Sequence, residues 1–356
     1  MKYPKLAYMW TQYFRGKYSI EFPSPTIVTH DLECVKVSAS ASLTLGMDKH
    51  GSAFALGTNR WGQCGVADFT GRGIYVPTPI HMADGDKPVL DICAGSQFGV
   101  ACDEDGDLFT WGKGEFGQLG QPFMLHKREK NWTTHGKELA SLGFAKPEQE
   151  YTPQLLAEEQ LVERELLRKR QFDVVDANGQ LVHSDREVGV GAHFGFTPVR
   201  LKRLPGGVKK VSAGFAHSLS LTKHGKVYVW GRAFGLRTEP ISRPILVRGF
   251  DHEVVEIACG QYFNVALDCE GNVYQWGLRP DHLGGGYIAE PTKVKGVPPG
   301  AHSLACGMQD ASILCNGQVY QWDWYDLTAR QVRELAGFNV KQYSFGWLHG
   351  AAIVEE

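Results

Sequence analysis

Residues Leu108 to Gly120, LFTWGKGEFGQLG, combine an apolar run with Gly112-x-Gly114-x-x-Gly117 and a lysine, Lys113, between the first two glycines. Glycines at this spacing let backbone N–H groups approach a pyrophosphate, provided that a helix opens directly behind them and adds its positive end. No helix opens here, because the residues that follow, Gln118 to Pro122, carry Gly and Pro where a helical repeat should start. The glycines are therefore expected to serve the chain's own turns. A second run, Gly284-Gly285-Gly286, lacks the Lys-Ser/Thr of a phosphate loop and reads as a flexible connection.

Two histidines have the right chemistry for a general base, His217 in AGFAHS and His349 in FGWLHG. Neither has a nucleophile or carboxylate placed beside it by sequence, and both occupy one position of a repeated pattern. A structural imidazole bonded to nearby backbone is the expectation. Eight cysteines include no CxxC, which removes zinc-ribbon and thioredoxin-like chemistry. Cys93, Cys102, Cys259, Cys269, Cys306 and Cys315 fall where other repeats have Ser212, Ala213 or Leu221. Small buried thiols explain them, with cross-strand disulfides or a metal site as the alternatives. No catalytic residue, metal ligand or cofactor is expected, and the chain reads as a non-enzyme.

Composition sets outer bounds. With 356 residues, 43% hydrophobic and 21% charged, the chain can bury a substantial core as one large domain or two smaller ones. A net charge of -2 argues against a global grip on nucleic acid or anionic membrane and leaves local patches open. No apolar run approaches the roughly 18 residues of a membrane helix, so no membrane partner is expected. Lys2, Lys5, Arg15 and Lys17 precede the first acid, Glu21, as in a transit peptide. Reduced thiols and the lack of a secretory apolar region point to a soluble intracellular protein, whether of cytosol, nucleus or mitochondrion.

The elements that must position these residues come from a repeat. VKKVSAGFAHSLSLTKHGKVYVWG from Val208, VVEIACGQYFNVALDCEGNVYQWG from Val254 and SLACGMQDASILCNGQVYQWD from Ser303 superimpose, and Trp230, Trp276 and Trp322 lie 46 residues apart. Each unit reads as three strands, the last ending in Trp. Upstream, the same register gives Trp10, Leu56, Trp111 and Ser184, with the turn glycine Gly179 matching Gly225, Gly271 and Gly317. The steps of 55 residues from Leu56 to Trp111 and 73 from Trp111 to Ser184 mark two insertions. The blade around Gln171 to Ser184, lacking the Trp, should be the least regular. Trp10 has no preceding strands of its own, and VKQYSFGWLHGAAIVEE from Val340 supplies them. The expectation is one domain over residues 1–356: an all-β, seven-bladed propeller, its ring closed by the N-terminal strand joining the C-terminal strands. Such closure requires that the N-terminus be retained.

The order AGxxHSLxL, xxxGxVYxWG, xxxxGQLG, seen in AGFAHSLSLTKHGKVYVWG and LFTWGKGEFGQLG, resembles the regulator-of-chromosome-condensation repeat over nearly the whole chain. WD repeats would end their blades in Trp-Asp, which only Trp322-Asp323 does, and kelch blades need a paired glycine. GWLHG at Gly346 to Gly350 resembles the GWRHT of plant ultraviolet-sensing propellers, but Leu348 stands where the Arg should be and the motif occurs once. Photoreception is not expected.

Function on such a scaffold belongs to loops and insertions. The largest, residues 122–170 between blades, holds the basic stretch Lys127, Arg128, Lys130 and Lys137 and an amphipathic helix expected over 153–170, started by Thr152-Pro153. Arg164, Arg168, Lys169 and Arg170 lie on that helix, which either covers the irregular blade or docks a partner. A second basic cluster comprises Arg200, Lys202, Arg203, Lys209 and Lys210. If the two clusters share a face, contact with RNA phosphates or an acidic protein follows. The main reading is a non-catalytic protein-interaction scaffold, a subunit or assembly factor of a multisubunit complex. The resemblance implies two alternatives: a guanine-nucleotide exchange factor for a Ran-type small GTPase, which needs no bond-making residue, and an RNA- or ribosome-associated organellar factor.

Overall fold

The structure is a computed structural model and describes residues 7–9, 26–29, 33–40, 42–66, 73–82, 87–114, 116–120, 173–175, 181–183, 194–232, 241–278, 287–323, 326–345 and 350–355. Strands β1 (Ala7–Met9) and β2 (Thr26–Thr29) pair with each other. The first four-stranded sheet, the Leu56 blade, runs β3 (Cys34–Ala39), β4 (Leu43–Asp48), β5 (Ala53–Gly57) and β6 (Ile74–Pro79). The Trp111 blade takes β7 (Val89–Ala94), β8 (Phe98–Asp103) and β9 (Leu108–Lys113). After a separate hairpin of β10 (Asp173–Val175) and β11 (Leu181–His183), β12 (Phe194–Arg200) returns to β9 as the fourth strand of that blade.

Three blades follow without interruption. The Trp230 blade has β13 (Val208–Ala213), β14 (His217–Thr222), β15 (Val227–Gly231) and β16 (Ile241–Leu246). The Trp276 blade has β17 (Val254–Cys259), β18 (Phe263–Asp268), β19 (Val273–Leu278) and β20 (Tyr287–Lys293). The Trp322 blade has β21 (Ala301–Cys306), β22 (Asp310–Cys315), β23 (Gln318–Asp323) and β24 (Arg330–Gln331), and β25 (Asn339–Phe345) with β26 (Gly350–Glu355) forms a last pair. The first strands β3, β7, β13, β17, β21 and β25 pack against one another in succession, which makes the fold an all-β propeller.

Local sequence explains the sheets. Strands β8, β14 and β18 are buried at every residue because a neighbouring blade covers each face, so they read as runs of apolar and small residues rather than as alternation. In three blades the turn between second and third strands is set by an aspartate whose carboxylate accepts backbone N–H bonds two or four residues on; in the Trp230 blade the Thr222 hydroxyl accepts the Lys226 N–H at 3.0 Å instead. His50 and Ser52 donate to Asp48 at 2.8 Å, Asp107 to Asp103 at 2.8 Å, and Asn272 to Asp268 at 2.8 Å.

The core is a series of layers between blades, and four of them each hold one terminal tryptophan: Trp111, Trp230, Trp276 and Trp322. Two of these indoles reach back to the loop of the preceding blade. Trp111 Nε1 donates to the Gln63 carbonyl at 3.0 Å, and Trp230 Nε1 donates to the Gln118 carbonyl at 2.8 Å. Trp322 Nε1 instead donates to the Gln275 side chain at 2.6 Å. Trp10 lies outside the described residues.

Polar bonds between first strands add to these layers. Lys36 pairs with Asp91, and Lys210 pairs with Glu256 at the matching place two blade boundaries further on. Asp91 also accepts the Val211 N–H at 2.8 Å. Ser38 Oγ accepts the Ala94 N–H at 3.0 Å, and Ser212 Oγ accepts that of Cys259 at 2.9 Å.

One expectation is met in part and another needs correction. Among the described residues there are five complete four-stranded blades, where the repeat count calls for seven. The unit ending at Ser184 does not stand between its neighbours: Trp230 meets Gln118 of the Trp111 blade as Trp111 meets Gln63 of the Leu56 blade, so those blades touch directly. Its hairpin β10–β11 is looped out between β9 and β12, whose pairing of Phe194 with Lys113 closes over it. The helix expected over 153–170 lies outside the described residues.

Replacing Trp230 with Ala is expected to cost about 3–5 kcal/mol of stability by opening a cavity between blades. Trp230→Phe keeps most of the apolar area but removes the indole's bond to the Gln118 carbonyl, which retains Ser218 Oγ as a donor at 3.2 Å, so the loss is about 1 kcal/mol. Urea unfolding of the two variants beside the wild type measures both; a Trp230→Phe variant as stable as the wild type would remove the hydrogen bond from the account, and equal losses in the two variants would remove the cavity.

Candidate functional site

The glycine-rich stretch after Trp111 forms a joint between blades. Gly112 has φ +95°, and a Cβ there would meet the Gln97 carbonyl and Phe98 Cα at 2.7 Å. Gly120 has φ +64°, and a Cβ there would lie 2.9 Å from the Trp230 indole. The close approach that glycine permits is made to the protein's own chain. Gln118 completes the joint by accepting the Phe116 N–H at 2.8 Å, as Gln63 does for Trp61 in the preceding loop.

These joints lie at one end of the propeller, where the third strand of each blade leads to the fourth and the first turns into the second. Bonds between the turns knit that end around the shaft: Ser96 N–H to the Gly214 carbonyl at 3.3 Å and Phe215 N–H to that of Gln261 at 3.0 Å. Outside them, Arg60 and Lys113 both lie over the Trp61 ring, at 5.0 and 5.1 Å from its centroid. Arg232 lies over Phe116 at 5.1 Å, so a cation of one blade twice caps an aromatic ring of the blade before. The residues Trp61-Gly62-Gln63 and Phe116-Gly117-Gln118 share an aromatic-Gly-Gln pattern that was the available signal for this arrangement.

The second basic cluster lands elsewhere and is dispersed. Lys202 and Arg203 are exposed at the opposite end of the Trp111 blade, beyond the last residue of β12. Arg200 pairs with the buried carboxylate of Asp107. Arg203 approaches that carboxylate at 3.7 Å and donates to the Asp105 carbonyl at 2.6 Å. Lys210 faces the next blade's Glu256, and Lys209 is half-buried on the same strand. The five residues therefore do not form one basic tract. Lys127, Arg128, Lys130, Lys137, Arg164, Arg168, Lys169 and Arg170 lie outside the described residues, in the segment joining β9 to β12.

His217 is fully buried at a position where other blades have Leu43, Phe98 or Phe263. Burial pushes its pKa down to about 4 against the pull of hydrogen bonding to the Asn264 side chain and the Phe263 backbone. A neutral imidazole sealed in this way fills space and bonds locally. His349 lies outside the described residues. All eight cysteines are free thiols, and burial pushes those of Cys102, Cys259 and Cys306 up, which keeps them protonated. Cys269 departs from the expected burial and is exposed. Among the described residues no group of three or more His, Cys, Asp or Glu is arranged to hold a metal, and no helix is long and apolar enough to cross a membrane.

The repeated blades with their Trp-Gly ends define a class of repeat propellers. Profiles of the regulator of chromosome condensation (RCC1) repeat match residues 50–102, 105–132 and 224–267, and a second RCC1-repeat profile matches 89–118 and 208–233. The chain belongs to the RCC1-repeat family. It is 26% identical over 265 residues to the ultraviolet-B receptor UVR8 of Arabidopsis thaliana, covering 72% of this chain and 55% of that one, so it spans about half of the relative's length. The crystal structure of human WBSCR16 superimposes with a TM-score of 0.65 at 16% identity, over 97% of this chain and 79% of that one. Prp20p from Saccharomyces cerevisiae does so with a TM-score of 0.63 at 16% identity, over 93% and 72%.

The depressed pKa of His217 gives a sign to the pH dependence. Below about pH 6.5 the unfolded chain takes up a proton that the folded chain refuses, so stability falls as pH drops toward 4 and its His217 component then levels off. The loss is on the order of 3 kcal/mol. Urea unfolding of wild type and His217→Gln at several pH values should show it as a difference between the two curves; parallel curves would refute it.

Proposed function

We propose that the chain is a non-catalytic interaction scaffold, a subunit or assembly factor of a larger complex, in which residues 1–356 act as one propeller domain. The observation that carries this reading is where the connecting segments leave the blades. Residues 58–73, 114–193, 232–240 and 279–286 all join a third strand to a fourth, and so all issue from the same end of the propeller. The 122–170 insertion is one of them. Between the blades, polar groups such as Lys36, Lys210, Ser38 and Ser212 are taken up in bonds to the neighbouring blade. Protein recognition therefore falls to the loop end.

Nucleotide exchange on a Ran-type small GTPase is the second reading. It is favoured by the likeness to Prp20p, whose structure is described with its binding to Gsp1p and histones. Exchange requires a wedge beside the nucleotide and no bond-making residue, and the loop end has the irregular segments to supply one. The RNA- or ribosome-associated organellar reading is an outcome of the same experiment.

We also propose that the ring closes by strand exchange. β25–β26 has the pairing of a first and second strand, and β1–β2 that of a third and fourth. Tyr343 pairs with Ala352 as Val211 pairs with Ser220, so Ala352 takes the place that Ser220 has in the Trp230 blade. Ser220 lies opposite Tyr228, two residues before Trp230, and Tyr8 stands two residues before Trp10. The same register would set Tyr8 opposite Ala352.

Capture on the immobilised chain followed by mass spectrometry separates the readings. Subunits of one large complex support the scaffold, a single GTPase held best without nucleotide supports exchange, and ribosomal proteins support the third reading. Deleting Gln121 to Gln171 is expected to abolish capture while the unfolding midpoint moves by no more than about 5 °C, which corresponds to a small stability change. An unfolded deletion product would make the insertion structural instead. For closure, Tyr8→Cys with Ala352→Cys should be joined by a short bifunctional maleimide within one chain, and failure to cross-link would leave the ring open there.

A further inference from the structure

The end opposite the loops, formed by the second-to-third turns and the connections from one blade to the next, is divided in charge. In the Trp111 and Trp276 blades these turns are acidic, Asp103-Glu104-Asp105-Gly106-Asp107 and Asp268-Cys269-Glu270-Gly271. In the Trp230 blade between them the turn is Thr222-Lys223-His224-Gly225-Lys226, with Lys223, His224 and Lys226 exposed. The pairing of Val208 with Thr222 sets Lys209 beside this turn. The Lys223 N–H donates to the Gly207 carbonyl at 2.9 Å, which brings up the connection that carries Lys202. Four lysines thus lie on adjoining stretches of backbone. Cations of other blades on this end pair with carboxylates, as Lys49 does with Glu33, Lys87 with Asp105 and Lys293 with Asp251. Lys202, Lys209, Lys223 and Lys226 have no carboxylate partner among the described residues, and Lys223 Nζ donates only to the Glu104 backbone carbonyl, at 3.0 Å.

Apolar side chains flank the innermost of these lysines. Lys209 is the second residue of β13, where a register shift leaves it out of the ladder. The same place holds Leu90 in β7 and Val255 in β17, exposed at 44% and 41%. First strands line the shaft, so side chains exposed on them face it or its mouth, and Lys209 stands between two aliphatic ones. A nucleic-acid strand running from blade to blade would meet the acidic turns on either side, and residues 202–210 and 222–226 hold no Phe, Tyr or Trp on which a base could stack. A short acidic segment lying along this one blade, with an apolar side chain at the mouth, meets neither obstacle. We propose that this end binds an acidic peptide segment of a partner protein, its carboxylates on Lys209, Lys223 and Lys226 and an apolar residue between Leu90 and Val255. This rests on the scaffold reading for a protein partner and adds a second, weaker contact to the one at the loops.

The test uses the full chain and a short labelled peptide of consecutive Glu residues followed by Leu, read by fluorescence anisotropy. Wild type should bind it, and Lys209→Glu with Lys226→Glu should weaken binding about tenfold or more. Lys226→Gln, an exposed turn substitution that leaves the fold intact, should weaken it about threefold. Lys209→Arg with Lys226→Arg should keep most of the affinity, and Arg60→Glu, at the loop end, should change it by less than about twofold. The proposal is overturned if wild type fails to bind the peptide, if Arg60→Glu weakens it as much as the double reversal, if Ser replaces the peptide's Leu without loss, or if a ribouridine oligomer binds more tightly. Capture from lysate keeps the two readings apart. A wild-type chain that captures nothing defeats the scaffold, whereas failure of the peptide assay alone defeats only this surface.

Discussion

Each propeller blade has two apolar faces, and neither can be buried until its neighbours are in place. The indole at the end of the third strand is where this dependence is made specific. Trp111 and Trp230 fill the layer against the preceding blade and donate their ring N–H to the carbonyl of Gln63 or Gln118 in that blade's loop. A large ring buried there contributes through its area, and the hydrogen bond fixes which loop it faces. The glycine that ends each loop has no Cβ because the next blade's tryptophan occupies that space, as at Gly120 against Trp230. Neighbouring blades must therefore fold against each other, with little tolerance for a misplaced unit.

Much of the molecule's polar chemistry is absorbed by the same requirement. Lys36 with Asp91 and Lys210 with Glu256 join successive first strands; burial works against the Lys36 charge, but the Asp91 carboxylate beside it raises its pKa and keeps the ammonium form. His217 takes a core position and is held neutral. The third-to-fourth connections issue from one end of the propeller, where Arg60, Lys113 and Arg232 lie over the aromatic rings. Scaffold and site are thus divided along the strand direction, with closely bonded turns supporting the loops outside them.

The repeat was legible because most blades place the same residue in the same surroundings. The tryptophan ruler, the turn aspartates and the joint glycines are local answers to a local problem, and they recur in the chain as plainly as in the structure. Two readings changed where side-chain direction or distant pairing mattered. The 46-residue step from Ser184 to Trp230 measures separation along the chain and cannot register that β12 returns to β9. The cluster around Arg200 to Lys210 is compact in sequence, yet Arg200 faces Asp107 and Lys210 faces Glu256 across different blade boundaries. Thr-Pro, a helix-start cue in isolation, lies in the outer strands at Thr78-Pro79 and Thr197-Pro198, where an edge tolerates a missing N–H. Thr152-Pro153 carries the same dipeptide, so the cue does not by itself choose between helix and strand.

By itself the sequence determined the blade: its strands, its turn residues and its terminal tryptophan, because these follow from contacts made within one unit or identically by each. It also excluded a phosphate cradle at Gly112 to Gly117, since no helix opens behind the glycines. Tertiary structure decided which units are neighbours and which end carries the stacked arginines. Those depend on pairing between strands as far apart as β9 and β12, and on which way a side chain leaves its strand at a blade boundary. Neither quantity is written in the spacing of residues, because spacing fixes position along the chain and not the partner across the layer.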